Sequence, residues 1–370
     1  MEARTASETA AALVLRAPET LERTTLPLPE IGPGDALLRV EACGLCGTDH
    51  EQFTGTLPIR EAFVPGHEIV GTIERIGDEA RRSRGLAPGD RVAVEVFHTC
   101  GACEACRSGA HPLCRAHGLR DSYGMATLTM PPGLWGGYAT HVFLPPTAVV
   151  HRVPPGLDPV EATLFNPLGA GIRWATTLPR IRPGAVVAVL GPGLRGLCAV
   201  RALRRAGAGF ILLTGAGPRD ASRLELGKRL GASVTVDVTQ DDPVKVLKRE
   251  SGGRADVVVD VTAAAPEAFL QAIDLVRTGG TVVIAGMRGS ALVERFNPDW
   301  IAIKEITMIG ARGVTSDAYA AALDVLVEDD LLRAVPRRTA GLDPDEVAAL
   351  LDEMAHGTER PLHAVIVPQR

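Results

Sequence analysis

The sequence predicts a two-domain α/β protein, in which an irregular β-rich domain accompanies a doubly wound parallel sheet. Three observations carry this reading. Residues 186–196 read Val-Val-Ala-Val-Leu-Gly-Pro-Gly-Leu-Arg-Gly, an apolar run ending in glycines spaced G-x-G-x-x-G. Beyond it, apolar strand-like runs alternate with amphipathic segments, the pattern of strands and helices in a parallel sheet. Ahead of it, short strand candidates are broken by turns and by a loop-rich stretch, 98–137.

Bulk properties agree with this and narrow the function. A chain of 370 residues suits two domains or one large one. Hydrophobic residues at 46% and charged residues at 22% fit a globular protein with a sizeable core. A net charge of -5 argues against nucleic acid as the main partner. Only four of the 39 basic residues are lysine, so arginine is the default cation and a single arginine carries little weight. Residues 1–12 hold no cationic segment followed by an apolar core, and no apolar run approaches the ~20 residues that span a bilayer. A cytoplasmic location and no membrane partner are therefore expected. In that setting, seven cysteines suggest metal sites before disulfides.

In chain order, residues 36–42, 69–76 and 91–96 are strand candidates, with Pro88-Gly89-Asp90 as the turn before the third. Residues 138–143 add another. From about Val160 the pattern changes. Residues 161–178 predict a connecting helix, with Pro167 as a kink or break near its start. Arg182-Pro-Gly184 leads into the strand and glycine turn, and a helix from Leu194 follows. Next come strand 210–214, helix 222–230, strand 234–236 and helix 243–250. Strand 256–261, helix 266–276 and strands 281–285 and 306–309 complete the sheet. The tail carries helices at 318–327 and 344–355 and a last strand at 364–367.

The glycine turn has a physical logic. Gly191 allows the turn, Gly193 lets a pyrophosphate approach the backbone, and Gly196 lets helix and strand pack closely. Leu194 opens the helix whose N-terminus faces the phosphates. Since a strand precedes the turn and a helix follows it, a dinucleotide site is the expectation.

Two cysteine groups carry further chemistry. Cys100, Cys103, Cys106 and Cys114 form C-x2-C-x2-C-x7-C. Four thiolates at this spacing can close a tetrahedral shell around a structural zinc, with no open position. Disulfides are the weaker alternative. Cys46 lies in Cys43-Gly-Leu-Cys-Gly-Thr-Asp-His50, and His67 lies in Pro65-Gly-His-Glu68. Thiolate and imidazole both suit zinc, and a catalytic zinc keeps a position for water or substrate.

These pieces resemble the zinc-dependent medium-chain dehydrogenase family, which includes alcohol, sorbitol and threonine dehydrogenases. The matching segments are residues 44–49, 66–68, the 100–114 lobe, 189–196 and Gly279-Gly-Thr-Val282. They run in the family's order over nearly the whole chain. The resemblance implies a GroES-like catalytic domain at 1–162 and 305–370, interrupted by a Rossmann domain at 163–304. It implies that Cys46 and His67 ligate a catalytic zinc, with Glu68 as a ligand or a close second-layer carboxylate. It implies that Thr48 hydrogen-bonds the substrate oxygen and begins proton removal. The expected reaction is hydride transfer between an alcohol and NAD(P), giving a ketone or aldehyde. Two zinc ions per chain and a homodimer or homotetramer are also implied, the copies meeting near 281–285.

Two departures from the family stand out. Relatives often place a further zinc ligand where Asn166 stands, and a neutral amide is a poor one; Asn166 is thus either a weak ligand or a cap of the connecting helix. The proton-relay histidine of several relatives falls on Glu51, with His50 one residue earlier. The alternative functions are a reductase with an altered zinc shell, or a non-enzymatic NADP-binding regulatory protein.

Cofactor choice rests on the end of the second strand. NAD-selective sites place an acid about 20 residues past the glycines. Here that position is Gly215, and Arg219 and Arg223 follow. Guanidinium suits a 2′-phosphate, so NADP is the expected cofactor and NAD the alternative. Tyr123, Met125, Met130 and Trp135, with Phe53 and Leu57, either wall the substrate cleft or pack beneath the loop.

Overall fold

The computed structural model describes residues 8–263, 265–289, 291–356 and 361–370. The chain forms two compact units. One holds the chain up to Asn166 together with Thr315–Glu328 and Val335–Arg370; the other holds Pro167–Val314 and Asp329–Ala334. The last parallel strand, near 307–310, belongs to the second unit's sheet.

The first unit opens with an antiparallel hairpin of β1 (Thr9–Ala17) and β2 (Thr20–Pro27), which no sequence signal singled out. β2 is largely exposed and polar, so it offers little hydrophobic pattern. β3 (Ala36–Leu45), β4 (Glu68–Ile76), β5 (Arg91–Val94), β6 (His141–Leu144) and β7 (Val150–Arg152) follow. β3 and β4 pair antiparallel with Cys43 opposite Ile69 and Gly44 opposite Glu68. That register is what brings the two sequence motifs together: Cys46 lies just past the end of β3, and His67 just before the start of β4.

The connecting segment is not one helix. It forms Pro159–Ala162, then Phe165–Ile172, then a π-helical turn at Arg173–Thr177. Pro167 sits in the first turn of the second helix, where its missing N–H costs nothing, so it starts the helix without kinking it.

In the second unit, β8 (Val186–Leu190), β9 (Phe210–Gly215), β10 (Val234–Asp237), β11 (Ala255–Asp260), β12 (Val276–Ile284) and β13 (Thr307–Gly310) form a parallel sheet ordered β10-β9-β8-β11-β12-β13. This is the doubly wound Rossmann order, in which the order reverses beside β8 and ligands bind beyond the carboxyl ends of the strands. β8 is Val-Val-Ala-Val-Leu, and four of its five side chains are buried, as a strand covered on both faces requires. The helix Leu194–Arg205 buries Leu197, Val200 and Leu203, leaves Arg201 and Arg204 half-buried and exposes Arg205. Arg201 pairs with the buried Asp329 at 2.5 Å. Pro243 at the first turn and Asp242 as N-cap start the helix Pro243–Ser251.

The segment expected to join copies of the chain is internal to this sheet. β12 is paired on one side by β11 and on the other by β13, so its backbone has no open edge. The edges belong to β10 and β13.

The chain then returns to the first unit with β14 (Arg337–Ala340) and β15 (His363–Ile366), giving a sheet ordered β14-β15-β3-β4-β5-β7, with β6 against β3. Its core is built from Leu38, Val40, Ile73, Val92, Tyr138 and Leu144 among others. No helix among the described residues is long and apolar enough to cross a membrane.

Gly196 and Gly193 separate packing from binding. A Cβ on Gly196 would overlap the carbonyl oxygen of Gly191, whereas a Cβ on Gly193 would meet open space. Gly196→Ala is expected to destabilise the fold by about 1–3 kcal/mol, as overpacking does. Gly193→Ala should leave the unfolding midpoint nearly unchanged and weaken only dinucleotide binding. Urea unfolding of both variants checks this; equal loss in both would contradict it.

Candidate active site and metal centres

Cys46 is the N-cap of the helix Gly47–Phe53, and its side chain does two jobs there. Sγ accepts the Thr48 N–H at 3.3 Å, and the Cys46 N–H donates to Asp49 Oδ2 at 2.8 Å. Sγ also lies 3.2 Å from His67 Nε2. The other ring nitrogen of His67 faces Asp49 Oδ1 at 3.8 Å. Asp49 thus addresses both Cys46 and His67, an arrangement that orients metal ligands. The ligand atoms of Cys46, His67 and Glu68 lie within 4.8 Å of one another, and all three residues are buried. A thiolate, an imidazole and a carboxylate in one dry pocket form a zinc-type donor set. Thr48 stands half-buried on the same first helical turn, and His50 and Glu51 lie further along it, also half-buried.

Cys43 is different. Burial pushes its thiol well above the ordinary range, and the nearby Asp49 and Glu68 raise it further. It packs as a neutral group, its sulfur pressed against the backbone at Gly66 and Gly137.

The second group is equally compact. The sulfurs of Cys100, Cys103, Cys106 and Cys114 all lie within 4.8 Å of one another. Backbone N–H groups of Arg115 and Cys106 hold the Cys103 thiol down to about 6. Burial pushes Cys106 up to about 11. Backbone amides aimed at sulfur, with four sulfurs converging, fit a closed thiolate shell.

A third cluster escaped the sequence. Glu95 is 1% exposed, at the end of β5. Its Oε2 meets His111 Nδ1 at 2.6 Å and its Oε1 meets His151 Nε2 at 2.8 Å. His111 lies between Cys106 and Cys114, so this carboxylate ties the four-cysteine lobe to the sheet. A glutamate and two histidines separated by up to 56 positions leave no local signal.

Asn166 lies in the first turn of the helix Phe165–Ile172 and does not cap it. It is buried, and its amide N–H donates to the Tyr319 hydroxyl at 3.2 Å. Tyr123 and Trp135 are core residues: Tyr123 is 1% exposed and donates to the Phe143 carbonyl, and Trp135 donates to the Met130 carbonyl. Met130 and Phe53 pack against the same core, and Met125 accepts a hydrogen bond from Gln52. These contacts show that the side chains pack beneath the loop. His98 stacks near Tyr123, and burial lowers its imidazole to about 4, which keeps it neutral.

In the second unit the glycine turn follows β8 as expected. The Gly191 N–H donates to the Thr214 carbonyl, so the ends of β8 and β9 lie side by side. Gly193 caps the helix Leu194–Arg205. On the other side of β8, the fully buried Asp260 ends β11, accepts from Thr262 and pairs with Arg288. Gly215 ends β9, and Arg219 and Arg223 follow in the loop and helix beyond it.

Residues 32–155 match the family described as Alcohol dehydrogenase GroES-like domain, and residues 196–328 match Zinc-binding dehydrogenase. A Mycobacterium tuberculosis protein named "Probable alcohol dehydrogenase" is 54% identical over 96% of this chain and 98% of its own length. The chain belongs to the zinc-dependent medium-chain dehydrogenase family. Sorbitol dehydrogenase of Bacillus subtilis is 32% identical over 81% of both proteins. A zinc-binding dehydrogenase of Sinorhizobium meliloti 1021, solved with NADP, matches at a TM-score of 0.82 and 29% identity, over 98% of this chain and 100% of the other. Like its family, this dehydrogenase is an alcohol-oxidising zinc oxidoreductase that works with NAD(P).

Within this dehydrogenase, the Glu95–His111 pair makes stability depend on pH. Burial opposes ionisation of Glu95, but hydrogen bonds from His111 and His151 outweigh it and hold the carboxyl below its ordinary 4.5. The same carboxylate raises His111 above its ordinary 6.5. The Glu95 contribution is present above pH 4.5 and fades as pH falls through its folded value. The His111 contribution is present below pH 6.5 and fades as pH rises through its folded value. Glu95→Gln is therefore expected to cost about 1.5–3 kcal/mol near pH 6, the worth of charged hydrogen bonds, and less near pH 8. Urea unfolding of the zinc-loaded protein at the two pH values measures this; an equal loss at both would mean that His111 carries no charge.

Proposed function

We propose that Cys46, His67 and Glu68 hold the catalytic zinc and that Cys100, Cys103, Cys106 and Cys114 hold a second, structural one. The convergence of three buried donor atoms on one point, with Asp49 behind two of them, is the observation that carries this assignment. Asn166 stays outside the ligand set in this reading, since a neutral amide is a poor zinc ligand.

A zinc held by Cys46, His67 and Glu68 would supply Lewis acidity toward the alcohol oxygen, and a nicotinamide bound at the glycine turn would supply the hydride acceptor. The chain's own residues do the rest. Asp49 fixes the Cys46 backbone and faces the second nitrogen of His67, so both side chains are pre-set before any ligand arrives. The Thr48 hydroxyl accepts the alcohol's proton as it gives up its own to His50 or Glu51, on the same helix, from which a proton passes to solvent. Gly191, Gly193 and Gly196 leave room for the pyrophosphate, and the N-terminus of the helix that opens at Leu194 faces it. Gly215, Arg219 and Arg223 border the adenosine end. The substrate is a small-molecule alcohol, converted to a ketone or aldehyde.

This reading also includes assembly of two or four copies. β13 is an edge strand, and the helix Asp299–Ile303 just before it exposes Trp300 and Ile303 by 50% and 64%. Ile303→Glu is expected to shift the mass measured by light scattering from dimer or tetramer to a smaller species; a wild-type monomer would end this part of the reading.

Metal analysis separates the two zinc sites. The wild-type protein is expected to carry two zinc ions per chain. Cys100→Ser should lose one and unfold more easily, since structural zinc contributes folding free energy. Cys46→Ala should lose the other and abolish alcohol oxidation, with dinucleotide affinity changed by no more than about twofold, below 0.5 kcal/mol. Substantial turnover by a zinc-verified Cys46→Ala protein would overturn the assignment.

A further inference from the structure

The end of β9 is not the open space that its sequence suggests. Gly215 has no acidic side chain, but a Cβ built there would lie 3.0 Å from the Asp220 Cβ, 3.0 Å from Pro192 Cγ and 3.1 Å from Leu224 Cδ2. The volume into which an acid at 215 would project is already filled, and a main occupant is another acid. Pro192 belongs to the glycine turn, so Asp220 sits beside that turn as well as beside β9.

The loop between them is built to bring Asp220 back. Gly217 has φ of +72°, which a glycine adopts without strain. Its N–H donates to Asp237 Oδ1 at 2.8 Å, and Asp237 also takes the N–H and hydroxyl of Thr239. The Gly217 bond leads the contacts that hold the Asp237 carboxyl below its usual range. The Asp220 N–H donates to the Gly217 carbonyl, and Asp220 Oδ2 accepts the Ala216 N–H at 2.9 Å. Both ends of the loop are thereby tied, and the carboxylate is fixed in direction.

Arg223 is turned toward the same carboxylate, its Nη1 lying 3.7 Å from Asp220 Oδ1. Both side chains are largely buried, 14% and 16% exposed. Its charge is directed at an acid inside the protein. A 2′-phosphate arriving there would meet Asp220 together with Arg223, and its like charge would face the carboxylate. A ribose with two free hydroxyls would instead find an acceptor already oriented.

We infer that Asp220 supplies, from the loop, the ribose carboxylate that Gly215 lacks, and that the chain binds NAD(H) in preference to NADP(H). This rests on the dinucleotide site described above and reverses the preference expected from residue 215 alone.

Direct binding tests it without turnover. NADH and NADPH are titrated into the zinc-loaded wild-type protein and followed by nicotinamide fluorescence. NADH is expected to bind at least about tenfold more tightly, equivalent to about 1.4 kcal/mol. Asp220→Asn keeps the shape and an acceptor for the Ala216 N–H but removes the charge, so the ratio should collapse toward one. Asp220→Ser should give the same collapse, and thermal melts confirm that either variant is folded. Tighter or equal binding of NADPH by the wild type would overturn the inference, as would a ratio unchanged in folded Asp220→Asn. Binding of neither nucleotide would sink the dinucleotide reading beneath it.

Discussion

Backbone packed directly on backbone is the constraint on which the active site depends. The segment holding His67 runs against residues 136–138 and bonds to them backbone to backbone. The Gly137 N–H donates to the Gly66 carbonyl at 2.9 Å, and the Tyr138 N–H donates to the Pro65 carbonyl at 3.0 Å. A Cβ on Gly136 would overlap the Val64 carbonyl, and one on Gly137 would press on the Cys43 sulfur. His67 therefore enters β4 from a segment that has almost no freedom to move. The β3–β4 register then sets Cys46 against it. Precision of this kind is what a zinc site needs, because its ligands tolerate displacements of only a few tenths of an ångström.

The second unit uses the same device for a different purpose. There the close approach of Gly196 to the Gly191 carbonyl brings the helix N-terminus up to the turn, leaving Gly193 facing open space. Gly171 likewise lets the helix Phe165–Ile172 lie against the backbone at Cys198 and Ala199. Tight contact around an open glycine makes a rigid cradle, and rigidity limits the ordering cost of binding.

Buried carboxylates do the remaining positioning, through the side chains and backbone groups that face them. Asp49 serves the cluster of Cys46, His67 and Glu68, Glu95 the four-cysteine lobe, and Asp260 the strand end beside the glycine turn. A buried charge is tolerated only where partners satisfy it. The lobe illustrates why this matters: residues 98–121 contain only short helical turns and no strand, so they have little ladder or core of their own. The four sulfurs close the lobe on itself, and Glu95 attaches it to β5 and β7 through His111 and His151.

The sequence by itself determined the two-part architecture, the doubly wound sheet, the glycine turn and both sets of metal-type residues. These are legible because they are local: strand and helix periodicity, glycine spacing and cysteine spacing are all written within a few tens of residues. The hairpin β1–β2 was not legible, since β2 is exposed and polar and carries no hydrophobic pattern. The burial of Tyr123 and Trp135 was not legible, because composition does not say which side of a loop faces the core. Asp49 stood inside a motif without a role, and Glu95 stood outside every motif. The edge strand was β13 and not β12, which pairing alone decides. The tertiary structure also decided Asp220: sequence distance placed the acid five residues beyond its expected position at Gly215, and only the fold of the loop through Gly217 returned it there. The physical reason is common to all of these. Pattern reports which face of an element is apolar, while register, loop closure and long-range ion pairs depend on what the rest of the chain brings alongside.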